Sequence, residues 1–505
     1  MSTPTPSTEP SIASRMGIMR LWRRLVGTAD AASANASAEP LDKRQWQKID
    51  ALLQEATSRA DSDTRVRARA RRLLDAYQKA NAQDRLAFML RLAQGFHIDE
   101  AALEVAIAHW QQAARSGNAA DKLHAQTRLA QTLESPRMHI LRQFNLLPAG
   151  IEALVRMRAE LLGLREHQQA LQPLESDLLR LLTLWFDAGF LELQRIGWSS
   201  PASLLEKVIR YEAVHEIKSW DDLRNRLDSD RRCYAFFHGR MPEEPLIFVE
   251  VALVQSLASS VQALLDEAQP TNDPAQATTA IFYSISNAQP GLRGVSMGEF
   301  LIKRVVEQLT HEFPKLQTFA TLSPVPGFGQ WLRTQLADAA YVQQLPAIAQ
   351  RALADQATDA PTDSPTHAPT NNATPSPTAN TSYELLQTLL ASGEASAHPR
   401  EEEAALKQWL MGECAHYLLM QKRKQEPLDA VARFHFGNGA SLQQINWMGD
   451  SSAKGLRQSL GLMVNYLYRL DAIDEQYHAY ARQGLLAHSS EVKKLLAANP
   501  IRREG

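Results

Sequence analysis

Hydrophobic residues recur every three or four positions along residues 41–195, a period typical of helices that bury one face. The stretch RLAFMLRLAQGFHIDEAALEVAIAHWQQAAR shows the pattern well and is interrupted at Gly95. Ala, Leu, Arg, Glu and Gln are abundant here, and these residue types favour helix over strand. The pattern therefore predicts a domain of several antiparallel helices. It contains no motif that carries chemistry, so we expect a structural or assembly role.

Beyond about Ile196 the apolar residues form short runs rich in Val, Ile, Phe and Tyr, which favour strands. Strands are predicted at 233–238, 245–254, 279–286 and 317–323. Between the last two, the segment GEFLIKRVVEQLTHEF has the spacing of a helix with one apolar face. That face carries Phe300, Leu301, Val305 and Leu309. The order predicts a βαβ-like unit with a glycine-containing loop at the entrance to its helix.

Two stretches contain too few apolar residues to bury a core, namely residues 1–40 and an Ala/Thr/Pro-rich insertion at about 355–381. Both are predicted to be disordered. After the insertion we expect helices near 383–390 and 401–421, then a strand at AVARFHFG. The segment INWMGDSSAKGLRQSLGLMVNYLYRL is predicted to add a strand or turn and then a helix. The predicted domains are a leader (1–40), a helical domain (41–195) and an α/β domain (196–505) that carries the insertion.

Charge and composition restrict the partners. Lys+Arg 54 against Asp+Glu 56 leaves a formal net charge of -2, so the overall charge does not favour nucleic acid or an anionic membrane as a partner.

No apolar run reaches the roughly 18 residues that span a bilayer, and the basic stretch at 15–27 lacks a signal-peptide core. Cys233 and Cys414 are too few for a disulfide framework. The final residues are not a Ser-Lys-Leu type of signal, and we expect a cytoplasmic protein.

The sequence GVSMG (294–298) matches the G-x-S-x-G elbow of serine hydrolases. An elbow needs its serine directly at a strand end, whereas seven residues (287–293) separate the predicted strand from this motif. A second interpretation is a phosphate-binding loop, because a helix N-terminus offers unpaired N–H groups and the positive end of the dipole. Two glycines allow close approach, and Arg293 adds charge. A third interpretation is an ordinary glycine-containing loop.

Three segments resemble malonyl-CoA decarboxylases in order and spacing: FYSISNAQPGLRGVSMGEFLIKRVV, LSPVPGF and ARFHFGNGASLQQINWMGD. The resemblance implies an α+β protein, with an all-α N-terminal domain for oligomerisation and a GNAT-like acyl-CoA-binding α/β catalytic domain. It also implies a homo-oligomer, a tetramer in the family, that acts on malonyl-CoA in fatty acid metabolism. No cofactor or metal is implied, because the thioester carbonyl itself accepts the electrons of the broken bond.

The resemblance also assigns roles to residues. The family's catalytic serine and histidine fall on Ser323 and His435, and Ser284 of FYSIS lies near the family's site. The loop that holds the substrate's CoA pyrophosphate falls on Arg293, Gly294, Val295, Ser296, Met297, Gly298 and Glu299. The chain departs from the family at Ser296, where the family has glutamate. Ser296 is therefore given no catalytic role.

Residue chemistry suits the implied reaction, since histidine with a usual pKa of about 6.5 transfers protons near neutral pH. Residue type alone favours simpler roles, because a serine before proline is most often a turn residue and a histidine between phenylalanines is more often part of a core. The chain has no H-E-x-x-H zinc motif, no cysteine pair at ligand spacing and no Walker loop. The alternatives are an acyl-CoA-dependent acyltransferase and a non-catalytic acyl-CoA-binding protein.

Overall fold

The computed structural model describes residues 39–58, 60–269, 271–295, 298–354, 379–391 and 400–499. Most of the predicted leader and insertion, together with Ser296 and Met297, lies outside the described residues. Internal contacts divide the chain into two compact units. We call them the helical unit, up to Trp185 together with Gln289–Val295, and the sheet unit, Phe186–Ala288 together with the residues from 296 onward.

The helical unit is built from amphipathic helices with polar N-caps. Asp42 accepts from the amide of Gln45 in a reciprocal capping box, and Asn81, Asp99, Asn118 and Ser135 cap later helices. The helices are α1 Lys43–Glu55, α2 Asp63–Lys79, α3 Ala82–Gly95, α4 Glu100–Ser116, α5 Ala119–Thr132, α6 Pro136–Phe144, α7 Gly150–Gly163 and α8 Gln168–Trp185. The predicted interruption at Gly95 is the end of α3. A leucine stripe on α8 joins the core: Leu171, Leu174, Leu178, Leu181 and Leu182.

The sheet unit contains an eight-stranded mixed sheet in the order β1-β2-β3-β4-β5-β10-β6, with β9 also paired to β10. Its strands are β1 Leu191–Ile196, β2 Arg231–His238, β3 Ile247–Val254, β4 Thr279–Asn287, β5 Thr318–Thr321, β6 Ser323–Pro324, β9 Ser441–Asn446 and β10 Met463–Tyr468. A separate ribbon consists of β7 Lys422–Arg423 and β8 Glu426–Pro427. Helices in one unit and a mixed sheet with helices in the other confirm the α+β class.

The sheet unit also contains helices between and after its strands. They are α9 Ala202–Tyr211, α10 Trp220–Arg226, α11 Val261–Leu265, α12 Gly298–Glu312, α13 Phe328–Leu336, α14 Ala339–Gln343, α15 Ala347–Ala354, α16 Ala379–Ala391, α17 Arg400–Met420, α18 Ala430–Gly437, α19 Ala453–Ser459, α20 Ile473–Gln483 and α21 Ser490–Ala498. Among the described residues, no helix has the length and apolar character needed to cross a membrane.

The predicted βαβ unit is present as β4, α12 and β5. The two strands pair in parallel from Thr279/Thr318 to Phe282/Thr321, and α12 buries Leu301, Val305 and Leu309 as its spacing predicts. Beyond Phe282 the strand β4 continues to Asn287 without further pairing to β5. The sheet therefore opens between these strands.

Three local predictions are wrong. The segment AVARFHFG is the helix α18, because the Asp429 carboxylate accepts from the amides of Val431 and Ala432 and caps a helix there. The predicted C-terminal helix is instead the short α19 followed by the strand β10. Leu460 and Gly461 adopt positive φ angles of 50° and 79° and end the helix. Strand β1 also begins inside the region predicted to be helical, because tertiary pairing with β2 selects the extended conformation.

Candidate active site

Ser323 and His435 meet inside the sheet unit although they are 112 residues apart. Ser323 Oγ lies 3.0 Å from His435 Nε2, and both side chains are buried. Ser323 begins β6 and pairs with Val464 of strand β10. His435 lies in the last turn of α18. The strand end and the helix end thus bring together the two residues that the resemblance assigned to catalysis.

Side chains from β9 and β10 hold Ser323 in place. Asn465, which is fully buried, donates to the carbonyl oxygen of Thr321 at 2.7 Å and to that of Ala258 at 3.0 Å. Its own amide oxygen accepts from Asn446 at 2.8 Å. The Ser323 hydroxyl donates to Thr321 Oγ1 at 2.8 Å. The Asn446 of the INWMGD motif therefore contributes to positioning, a role that sequence analysis missed.

Two tyrosines of β10 enclose the His435 imidazole. The ring stacks on Tyr466 with centroids 4.4 Å apart, and Nδ1 lies 2.7 Å from the Tyr468 hydroxyl oxygen. Burial lowers the pKa of His435 to about 3 and raises the pKa of Tyr468 well above its usual value. The imidazole is therefore neutral and the phenol protonated near neutral pH. Sequence analysis missed Tyr468 because it placed a helix over this strand.

Acidification is expected to destabilise the folded protein through His435. Its pKa is about 3 when folded and about 6.5 when unfolded, so the unfolded chain binds more protons between these values. The free energy of unfolding therefore falls as the pH decreases through this window, by about 2 kcal/mol between about pH 7 and about pH 5. Denaturant unfolding of the parent and of His435→Gln measures this. Equal losses in both proteins would contradict the prediction.

A cavity of about 280 Å³ adjoins the Ser323–His435 pair where β4 and β5 diverge. It is lined by Val214, Ile247, Phe282, Tyr283, Ile285, Asn287, Leu322, Ser323, Pro324, Ala430, Val431, Phe434 and His435. These described residues include no aspartate, glutamate, lysine or arginine. The cavity is thus a mostly apolar site whose polar groups are few, an arrangement common in small-molecule sites.

The predicted substrate-binding residue Ser284 lies behind the cavity wall. Its hydroxyl bonds both carboxylate oxygens of Glu212, at 2.9 and 2.8 Å, and Ser286 also donates to Glu212 at 3.1 Å. Ser284 itself is not among the residues that line the cavity. The structure therefore places this serine in a buried polar cluster next to the cavity.

The predicted phosphate loop divides between the two units. Arg293, Gly294 and Val295 belong to the helical unit, where Arg158 donates to the carbonyl oxygen of Gly291 at 2.6 Å. Gly294 has a φ of +85°, a conformation that favours glycine. Gly298 begins α12 and Glu299 follows it in the first turn. Within the part of the chain that the structure describes, no group of three His, Cys, Asp or Glu side chains is placed to hold a metal.

Known proteins resemble this chain over most of its length. Residues 189–504 match the family model described as the malonyl-CoA decarboxylase C-terminal domain, and residues 96–186 match the N-terminal domain. The protein named malonyl-CoA decarboxylase, mitochondrial, of Mus musculus is 37% identical over 443 residues, which is 83% of each chain. The Rattus norvegicus protein of the same name is 36% identical over 429 residues, again 83% of each chain.

Solved structures agree with these matches. The malonyl-CoA decarboxylase of Rhodopseudomonas palustris has a TM-score of 0.73 and 40% identity, covering 89% of this chain and 99% of that one. The Agrobacterium vitis enzyme gives 0.74 and 38%, with the same coverage. The matches define an enzyme of the carboxy-lyase class. The chain belongs to the malonyl-CoA decarboxylase family.

Proposed function

We propose that this chain converts malonyl-CoA to acetyl-CoA and carbon dioxide, with Ser323 and His435 as the catalytic pair. The observation that carries the proposal is the contact between Ser323 Oγ and His435 Nε2 at the wall of the apolar cavity. Family membership supports malonyl-CoA as the substrate. The contact places a hydroxyl and an imidazole together, and these groups can stabilise an oxygen anion and transfer a proton.

The reaction breaks the bond between C2 of the malonyl group and its carboxylate. The electron pair of that bond moves onto the thioester as an enolate, and C2 then takes up one proton. An apolar cavity favours this step, because the localised charge of the carboxylate loses hydration there while the enolate spreads its charge toward the thioester oxygen. The site must therefore stabilise an oxygen anion and deliver a proton.

His435 is the proposed proton donor to C2: as Nε2 gives up its proton, Nδ1 takes the proton of the Tyr468 hydroxyl, and water then reprotonates Tyr468. When Tyr468 donates to Nδ1, the neutral imidazole carries its proton on Nε2, which faces Ser323. The Ser323 hydroxyl donates to Thr321 Oγ1, and it is proposed to turn toward the malonyl carboxylate or carbonyl when the substrate binds and to relay the proton. A preorganised donor at a developing oxyanion contributes about 3–4 kcal/mol to the transition state.

The remaining proposals rest on the family. The sheet unit is proposed to have the GNAT-type acyl-CoA fold, which the parallel β4–α12–β5 unit and its opening support. Residues 293–299 are proposed to hold the CoA pyrophosphate of the substrate. We also propose a homotetramer that serves fatty acid metabolism in the cytoplasm. The Mus musculus and Rattus norvegicus relatives are named mitochondrial.

The test is to incubate the purified full chain with malonyl-CoA in D₂O, without added metal or nucleotide, and to follow acetyl-CoA by mass. The expected product carries one deuterium in its methyl group, because C2 takes its new proton from exchangeable groups. Succinyl-CoA, whose carboxylate is one carbon too far for the thioester to accept the electrons, is the control and should be unchanged. A folded protein that binds CoA but forms no acetyl-CoA would contradict the proposal and favour an acyltransferase or a binding protein.

A further inference from the structure

The wall of the cavity includes Val214, which lies in the connection between α9 and α10. Residues 212–215 of this connection form neither helix nor strand. Their backbone groups therefore need partners outside regular secondary structure. Both the amide and the carbonyl of Val214 have such partners, the amide in Glu212 of the same connection and the carbonyl in the distant Lys454.

Glu212 holds the loop from the side of β4. Its Oε1 accepts from the backbone amides of Val214 and His215, each at 2.8 Å. The same carboxylate accepts from the hydroxyls of Ser284 and Ser286, as described above. Glu212, Ser284 and Ser286 are all buried. The carboxylate thus ties the loop to the strand that lines the cavity.

Lys454 of α19 holds the loop from the other side. Its Nζ donates to the carbonyl oxygens of Ala213 at 2.6 Å and Val214 at 2.7 Å. Hydrogen bonds from a charged donor are roughly twice as strong as neutral ones. Lys454 lies four residues after the end of the INWMGD motif (445–450), so this part of the sequence positions the cavity wall through a contact 240 residues away.

We propose that Val214, fixed by Glu212 and Lys454, determines the size of the substituent that the enzyme accepts at C2 of the malonyl thioester. The inference rests on the proposed function. Val214 is half-buried, and its side chain borders the cavity from a clamped loop that contributes no strand or helix. A change of side-chain volume there alters the space in the cavity without disturbing the pairing of the sheet.

The test compares kcat/KM for 2-ethylmalonyl-CoA with kcat/KM for malonyl-CoA in the full-length protein. One methylene in an apolar pocket changes such a ratio by roughly 10–200-fold. Val214→Ala, which removes two methyl groups, should raise the ratio at least about tenfold. Val214→Ile, which adds one methylene, should lower the ratio. The isoleucine variant tests the inference alone if the alanine variant fails to fold. Val208→Ala makes the same change at a buried site away from the cavity and should leave the ratio unchanged.

The contribution of the clamp is tested separately with Lys454→Met, which keeps the aliphatic stem and removes the charged donor. Lys454→Met should raise the ratio of kcat/KM for 2-ethylmalonyl-CoA to kcat/KM for malonyl-CoA by several-fold. Lys454→Arg, which keeps a charged donor, should stay much nearer the parental ratio. The inference would be overturned if the parent decarboxylates malonyl-CoA and both Val214 variants keep the ratio of kcat/KM for 2-ethylmalonyl-CoA to kcat/KM for malonyl-CoA within about twofold of the parental ratio. A parent inactive on malonyl-CoA would instead overturn the proposed function on which the inference rests.

Discussion

Replacing His435 by glutamine is expected to lower kcat for malonyl-CoA by roughly 10²–10⁴-fold, the usual contribution of a positioned general acid. The glutamine amide can donate toward Ser323 much as Nε2 does, so the local hydrogen bonding is largely kept. It cannot release that proton and recover another through a second nitrogen, as the imidazole can between Ser323 and Tyr468. The loss therefore reports proton transfer.

Steady-state kinetics on malonyl-CoA measure the effect, and KM is expected to change much less than kcat. The matched control is His109→Gln, at an exposed histidine of the helical unit, which should leave kcat unchanged. A folded His435→Gln protein with kcat within about threefold of the parent would remove His435 from the mechanism.

Ser323→Ala is expected to lower kcat by roughly 10²–10³-fold, as the loss of one donor at a developing oxyanion does. The variant removes the hydroxyl that contacts His435 Nε2 at the cavity wall. Residues that act as a unit give non-additive losses. The double variant Ser323→Ala/His435→Gln should consequently lose little more than the worse of the single variants.

Ser441→Ala is the matched control, because Ser441 is a buried serine of β9 that does not line the cavity. Its kcat should equal that of the parent. If the losses of the two active-site variants multiply in the double variant, Ser323 and His435 act independently and the proposed relay is contradicted.

Several parts of the fold follow from local patterns. The three- and four-residue spacing predicted helices up to α8, and β-branched and aromatic runs predicted strands β2 to β5. The same logic identified α12 and its buried positions Leu301, Val305 and Leu309. These features depend on neighbours in sequence, so a window of about ten to fifteen residues contains the information.

The secondary structure around the candidate site is harder to predict from a short window of sequence. The sequence AVARFHFG has the apolar and aromatic content of a strand, yet Asp429 caps it as a helix. The segment MVNYLY, where a helix was predicted, is the strand that supplies Asn465, Tyr466 and Tyr468 to the site. At MVNYLY the strand is decided by pairing with β5, β6 and β9, which outweighs the local prediction, whereas at AVARFHFG the cap Asp429 decides for a helix.

Ser323 and His435 were identified from the sequence by resemblance, and the sequence by itself also determined the helical region and the βαβ unit. Only the tertiary structure decided that the two side chains touch, that the imidazole is neutral, and that Val214 closes a cavity between β4 and β5. The reason is physical: a pKa depends on how many atoms exclude water from a group. A cavity wall likewise depends on which hydrogen-bond partners hold a loop in place, here the Glu212 carboxylate as acceptor and the distant Lys454 ammonium as donor.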